Sequence, residues 1–200
     1  MDGSLFQTIN RFAVRTGWAH GFTRFYANDG IVLFAVLLVV SFLLARSRSD
    51  LGGSAGSLWA GAAALIALGI GQIIGNFVER ARPYETIANV HVLVDKTTDF
   101  SFPSDHATVV GAVAVGLFFV DRWLGLAATT LAILMAFTRV YVGAHYPGDV
   151  LAGLALGGAV AWLGHLLVVP VLRNLLRRLA NSRLRWLVAS GEPGPGAVIV

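Results

Sequence analysis

The 200-residue chain contains no cysteine, so disulfides, thiolate catalysis and cysteine-bound metals are excluded. It is also poor in charge. Only 13% of its residues are Asp, Glu, Lys or Arg, against about 25% in an average soluble domain. Lys96 is the sole lysine. What fills the space is apolar: 56% of residues are hydrophobic and the mean hydropathy is +0.71. That balance describes an integral membrane protein rather than a soluble core. The net charge of +4 comes almost entirely from arginines flanking apolar runs. This is the usual signature of membrane topology. With no basic stripe outside those flanks, nucleic acid is not an expected partner; the bilayer is.

The expected fold is all-α: a polytopic membrane helix bundle of about five transmembrane helices. It carries an amphipathic N-terminal helix and a basic C-terminal interfacial helix. Residues 4–27 place Leu5, Phe6, Ile9 and Phe12, then Trp18, Phe22, Phe25 and Tyr26, between Arg11, Arg15 and Arg24. One or two amphipathic helices broken near Gly17 fit this, either lying in the interface or capping the bundle. The expected spans are residues 31–45, 57–78, 105–120, 123–138 and 150–172. In the second, Gln72 and Asn76 lie four apart and share a helix face, expected to turn into the bundle. Residues 173–185 alternate arginine and leucine as a basic interfacial helix. The chain is read as one domain over residues 1–190. Residues 191–200, a tail rich in Gly and Pro, are expected to be disordered.

Five spans put the chain ends on opposite sides. Eight basic residues fall on the side of the tail and seven on the other, three of which, Arg80, Arg82 and Arg139, are better explained as ligand groups. The positive-inside rule then puts the tail in the cytoplasm and the loop at 79–104 outside. Arg82, Ser104, His106, Arg139, His145 and Asp149 all fall at span ends on that outer side. Each has an ordinary reading alone: Ser104 as an N-cap, Arg139 as a snorkelling side chain, Asp149 as a first-turn acid. His106 within a span is harder to explain away, because intramembrane ionisable residues are rare and usually functional. The lone His165 in the fifth span is read as structural. Together, arginines that fork onto anionic oxygens, two histidines and a carboxylate are the parts for phosphate chemistry. A metal is not expected, because the acids mostly lie far in sequence from His106 and His145.

The order and spacing of these residues resemble a known family. Arg82-Pro83, then Pro103-Ser104-Asp105-His106, then Arg139, His145 and Asp149 are similar to the three motifs of the type 2 phosphatidic acid phosphatase superfamily. The segment from Phe25 to Gly30 and the Phe-Pro-Ser-Asp-His form resemble its BcrC-type undecaprenyl-diphosphate phosphatase branch. Two departures stand out. Gly75 occupies the position of a motif lysine, leaving Asn76, Arg80 or Lys96 as candidate substitutes. Asp105 stands where the broad family has glycine, as it does in that branch.

The resemblance implies His145 as a nucleophile forming a phosphohistidine, Asp149 holding its tautomer, and His106 as general acid and base. Arg82 and Arg139 would clamp the phosphate, Ser104 would add a donor, and no cofactor would be needed. The implied substrate is a polyprenyl diphosphate or related lipid phosphate, cleaved at the outer face of the plasma (inner) membrane without an obligatory protein partner. A phosphatidate or phosphatidylglycerophosphate phosphatase is the alternative enzyme. A transporter or lipid-binding protein is the non-catalytic one, disfavoured because transport groups belong near the bilayer midplane.

Overall fold

A computed structural model describes residues 2–182 and 184–187. Among them every regular element is helical: α1 (Asp2–Arg15), α2 (His20–Asp29), α3 (Ile31–Ser47), α4 (Leu51–Val78), short α5 (Pro83–Thr86), α6 (Asp105–Phe118), α7 (Arg122–Tyr141), α8 (Pro147–Leu167) and α9 (Val169–Ala180). The tail at 191–200 lies outside the described residues.

All five expected apolar runs are helices. Three of them, α4, α7 and α8, are each long and apolar enough to cross a membrane. The segment from Gly17 to Asp29 and α3, joined at a 54° bend, make a fourth if the bent pair counts as one span. The remaining run, α6, has only 14 residues. At 1.5 Å per residue it is about 21 Å long, short of the roughly 30 Å hydrocarbon core. It does not need that length, because α6 is the central helix, packed between α4, α7 and α8, and most of its side chains are buried.

Several helices outrun their hydropathic core. Helix α4 starts at Leu51 rather than near Ser57, where Asp50 caps it by accepting from the Gly52 amide at 3.0 Å. Helix α7 runs on to Tyr141, which puts Arg139 on its last turn. Hydropathy reports contact with lipid, whereas a helix continues while its backbone bonds close, and it ends at caps. The fifth apolar run is divided: α8 ends at Leu167 and α9 restarts at Val169, with Pro170 in its first turn, where a missing N–H costs nothing.

The N-terminal segment caps the bundle. Helix α1 buries Phe6, Asn10 and Ala13 against α7 and α8, and Asn10 holds the loop at His91 through two hydrogen bonds of 2.8 and 2.9 Å. Close helix approach positions the site. A Cβ added at Gly153 would lie 2.6 Å from the Ser104 carbonyl, and one at Gly157 would overlap the Thr108 carbonyl. These glycines let α8 lie directly on the first turns of α6, as small residues do in membrane bundles. His165, near the far end of α8, stacks on Phe119 at 4.2 Å, which fits its structural reading.

Candidate active site

The site forms where four elements end together: the loop after α4, the N-terminus of α6, the C-terminus of α7 and the turn into α8. A cavity of about 290 Å³ opens there. Of the six residues singled out in the sequence, Arg82, His106, Arg139 and His145 line it. Ser104 and Asp149 are wholly buried behind it.

His145 sits on the turn between α7 and α8. Its path is set by Gly143, whose φ of +83° suits glycine, and which packs against the loop, leaving a Cβ only 2.8 Å from the His91 carbonyl. The ring's two nitrogens meet opposite environments. Nε2 faces Arg82 Nη1 at 3.3 Å and Arg139 Nη2 at 3.4 Å. Guanidinium groups only donate, so Nε2 accepts and carries no proton. The proton therefore sits on Nδ1, which donates to the Ser101 carbonyl at 2.8 Å. Burial, then the positive charges of Arg139 and Arg82, hold the His145 pKa well below its ordinary value, against a smaller pull from the Ser101 carbonyl. The side chain is a neutral imidazole with its unprotonated nitrogen toward the cavity, the form in which histidine attacks.

This geometry corrects the role expected for Asp149. Its nearest oxygen is 3.9 Å from His145 Nδ1, too far for a hydrogen bond. Asp149 instead folds back onto its own helix start. Oδ2 accepts from the Tyr146 amide at 2.8 Å and from the Ser101 hydroxyl at 2.5 Å. The carboxylate thus holds Ser101, and the Ser101 carbonyl holds the histidine. Oδ1 accepts from Arg80 Nη1 at 2.7 Å. Arg80 also pairs with Asp2 of α1 and lies over the Tyr146 ring, its Cζ 4.0 Å from the centroid. A carboxylate with no exposure to solvent needs such a partner.

Ser101 and the role of Arg80 were missed in the sequence. The only available signal was the serine three places before Ser104, and nothing local distinguishes it from an ordinary loop serine. Arg80 does not line the cavity, and its guanidinium is taken up by Asp149 and Asp2 rather than left for the missing lysine's contact. Lys96 lies over the Tyr84 ring at 5.5 Å. Gln72 and Asn76 are exposed rather than turned into the bundle. They border a separate cavity of about 120 Å³ beside the first, together with Gly75, and Gln72 donates to Asp105 at 2.7 Å.

The two arginines are held differently. Arg139 donates to the Ala27 carbonyl at 3.1 Å, which ties the end of α7 to α2. Arg82 donates to the Ala144 carbonyl at 3.0 Å and to Asp99, through Nε to the main-chain oxygen at 3.2 Å and Nη2 to Oδ2 at 2.9 Å. His106 shares the cavity lining with Asn28. Ser104 Oγ and Arg139 Nε are buried without a hydrogen-bond partner in the protein. Leaving such a group unpaired costs about 1–3 kcal/mol. No cluster of three or more His, Cys, Asp or Glu suited to a metal is present among the described residues.

Comparison with known proteins gives the family. Residues 56–173 match the model of the PAP2 superfamily, a stretch containing all six residues. An undecaprenyl-diphosphatase of Sulfolobus acidocaldarius is 35% identical over 100 residues, half of this chain and 48% of that one. The undecaprenyl-diphosphatase BcrC of Bacillus subtilis is 28% identical over 163 residues, 82% of each chain. In three dimensions the chain resembles the crystal structure of a transmembrane PAP2-type phosphatidylglycerolphosphate phosphatase from Bacillus subtilis. The TM-score is 0.57 at 21% identity, over 88% of this chain and 86% of that one. At that identity the likeness concerns the fold alone. With its motif residues assembled around one cavity and the family model covering more than half its length, the chain belongs to the PAP2 superfamily.

Proposed function

We propose that this integral membrane protein hydrolyses a polyprenyl diphosphate of the undecaprenyl type to the monophosphate and inorganic phosphate, through a phosphohistidine on His145. The observation that carries the chemistry is the unprotonated Nε2 facing the cavity between two buried guanidinium groups. Nε2 attacks the terminal phosphorus, and the bond from that phosphorus to the bridging oxygen breaks. The lipid phosphate leaves, taking a proton from His106 where it needs one. Water, activated by His106, then attacks the phosphohistidine and releases phosphate. Arg82 and Arg139 hold the equatorial oxygens, and Ser104 adds a donor. Asp149 acts through Ser101. No step calls for a metal.

The substrate class is supported by the two sequence relatives named above, both undecaprenyl-diphosphatases. The arginines supply charge for a diphosphate, and its leaving group is a lipid phosphate that needs little protonation. The exposed apolar side chains along the helices suit a protein whose substrate keeps its tail in lipid. The reading puts the site at the outer face of the membrane and the basic tail in the cytoplasm. It makes the enzyme a recycler of a lipid carrier used in cell-wall assembly.

The test is phosphate release by purified protein from polyprenyl diphosphate, phosphatidate and phosphatidylglycerophosphate, with and without chelator. Preference for the diphosphate, undiminished in chelator, is expected. A preference for either glycerolipid would overturn the substrate assignment, and restoration by a divalent cation after chelation would overturn the mechanism. Sidedness is tested separately in the cysteine-free chain. A cysteine placed at Lys96 should react with an impermeant thiol reagent in intact cells, and one placed at Arg178 should not.

A further inference from the structure

The cavity is built around two guanidinium groups, yet Asp95, Asp99 and Asp105 share its lining. Asp105 is held by Gln72. Asp99 is different, because it occupies Arg82. Its main-chain oxygen takes Nε at 3.2 Å and its carboxylate takes Nη2 at 2.9 Å. Nε and Nη2 form the edge along which a guanidinium grips two oxygens of a phosphate at once. The remaining nitrogen, Nη1, already faces the Ala144 carbonyl and His145 Nε2. A phosphate at His145 therefore gains Nη2 of Arg82 only when the Asp99 carboxylate gives it up, while Nε stays on the Asp99 main-chain oxygen.

Asp99 is placed to do so. Its side chain is 53% exposed while that of Arg82 is 6% exposed, so the acid can swing toward water and the base cannot. Burial opposes ionisation of Asp99, but the Thr97 hydrogen bond and the Arg82 charge outweigh it and hold the carboxyl below its ordinary range. It is a carboxylate whenever the enzyme works near neutral pH.

We propose that Asp99 is a built-in phosphate mimic that competes with the phosphate group for Arg82. It would set the affinity of the site for phosphate and help displace the product. The inference rests on reading the cavity as a phosphate site. The contrary view is that Asp99 only braces Arg82 for its task. The two views predict opposite signs. Loss of a competitor tightens phosphate binding, whereas loss of a brace weakens it.

The experiment measures competitive inhibition by inorganic phosphate and by orthovanadate for the full chain in detergent or nanodiscs. It compares the wild type with Asp99→Asn, Asp99→Ala and Asp95→Asn, with melting curves showing that each is folded. Both Asp99 variants should bind phosphate about fivefold more tightly, the scale of one partly exposed ion pair. The Asp95 variant should change less, since that acid shares the cavity without the contact to Arg82. A parallel fall in KM for the lipid substrate would show that the headgroup phosphate also competes; a fall confined to inorganic phosphate would assign the effect to product release. Unchanged or weaker binding in the Asp99 variants, or an equal gain in Asp95→Asn, would overturn the proposal. Absence of any phosphate or vanadate inhibition in the wild type would instead remove the phosphate-site reading, and this proposal with it.

Discussion

The two edges of the His145 ring are built to different standards. On the cavity edge, Nε2 meets two arginines at 3.3 and 3.4 Å, long for hydrogen bonds. On the opposite edge, Nδ1 meets one backbone carbonyl at 2.8 Å. Behind that carbonyl stand Ser101, Asp149, Arg80 and Asp2, each bonded to the next. Long contacts are easily exchanged for phosphate oxygens, while a short, layered set fixes the ring. The cavity edge is thus left adjustable and the supporting edge rigid, which is what the proposed role of His145 as a positioned nucleophile requires.

This contrast can be broken from either side. The largest effect should follow loss of the ring itself. His145→Ala should reduce phosphate release by about 10⁴-fold or more while the melting curve shows a folded protein. Substantial turnover by that variant would remove the phosphohistidine.

Next comes the adjustable edge. Arg139→Gln removes one charge where phosphoryl oxygens must be held, and a loss of about 10²–10³-fold in kcat is expected. A change confined to KM would mean that Arg139 grips ground state and transition state alike.

The rigid edge should show a smaller effect of another kind. Ser101→Ala keeps the carbonyl that receives Nδ1 but frees it from Asp149. A fall of about tenfold in kcat with little change in KM is expected, the equivalent of about one hydrogen bond. Ser101→Thr, which keeps the hydroxyl, should restore much of it. Equal losses in both variants would point to packing rather than to the hydroxyl.

The smallest effect is on stability. His145 is held neutral in the fold, but in the unfolded chain it takes a proton below about pH 6.5. Between those two pKa values the unfolded state binds more protons, so stability rises with pH there and falls as pH drops below about 6.5. Melting temperatures measured from pH 7 to 5 should decline, and less steeply in His145→Gln. An identical slope in the two proteins would argue against a strongly depressed histidine.

Much of this architecture was legible in the sequence, because its signals are local. Apolar runs reveal membrane helices since each must satisfy its backbone internally and face lipid. The spacing of Arg139, His145 and Asp149 works as a signature because the three lie within one helix end, a turn and the next helix start. The helix ends were blurred, since hydropathy measures contact with lipid while termini are set by caps such as Asp50 and the αL residue Glu79.

What the sequence by itself determined is therefore the all-α membrane class and the set of polar groups that gather at one cavity. What only the tertiary structure decided is which group holds which. The Ser101 carbonyl reaches His145 across 44 positions, and Arg80 reaches Asp149 across 69. The spacing of Asp149 four residues after His145 suggested a direct contact. The helix start at Pro147 instead turns the carboxylate back onto the Tyr146 amide and the Ser101 hydroxyl. A buried carboxylate binds the donors that packing brings within reach, and packing is settled by the whole bundle rather than by neighbours in the chain.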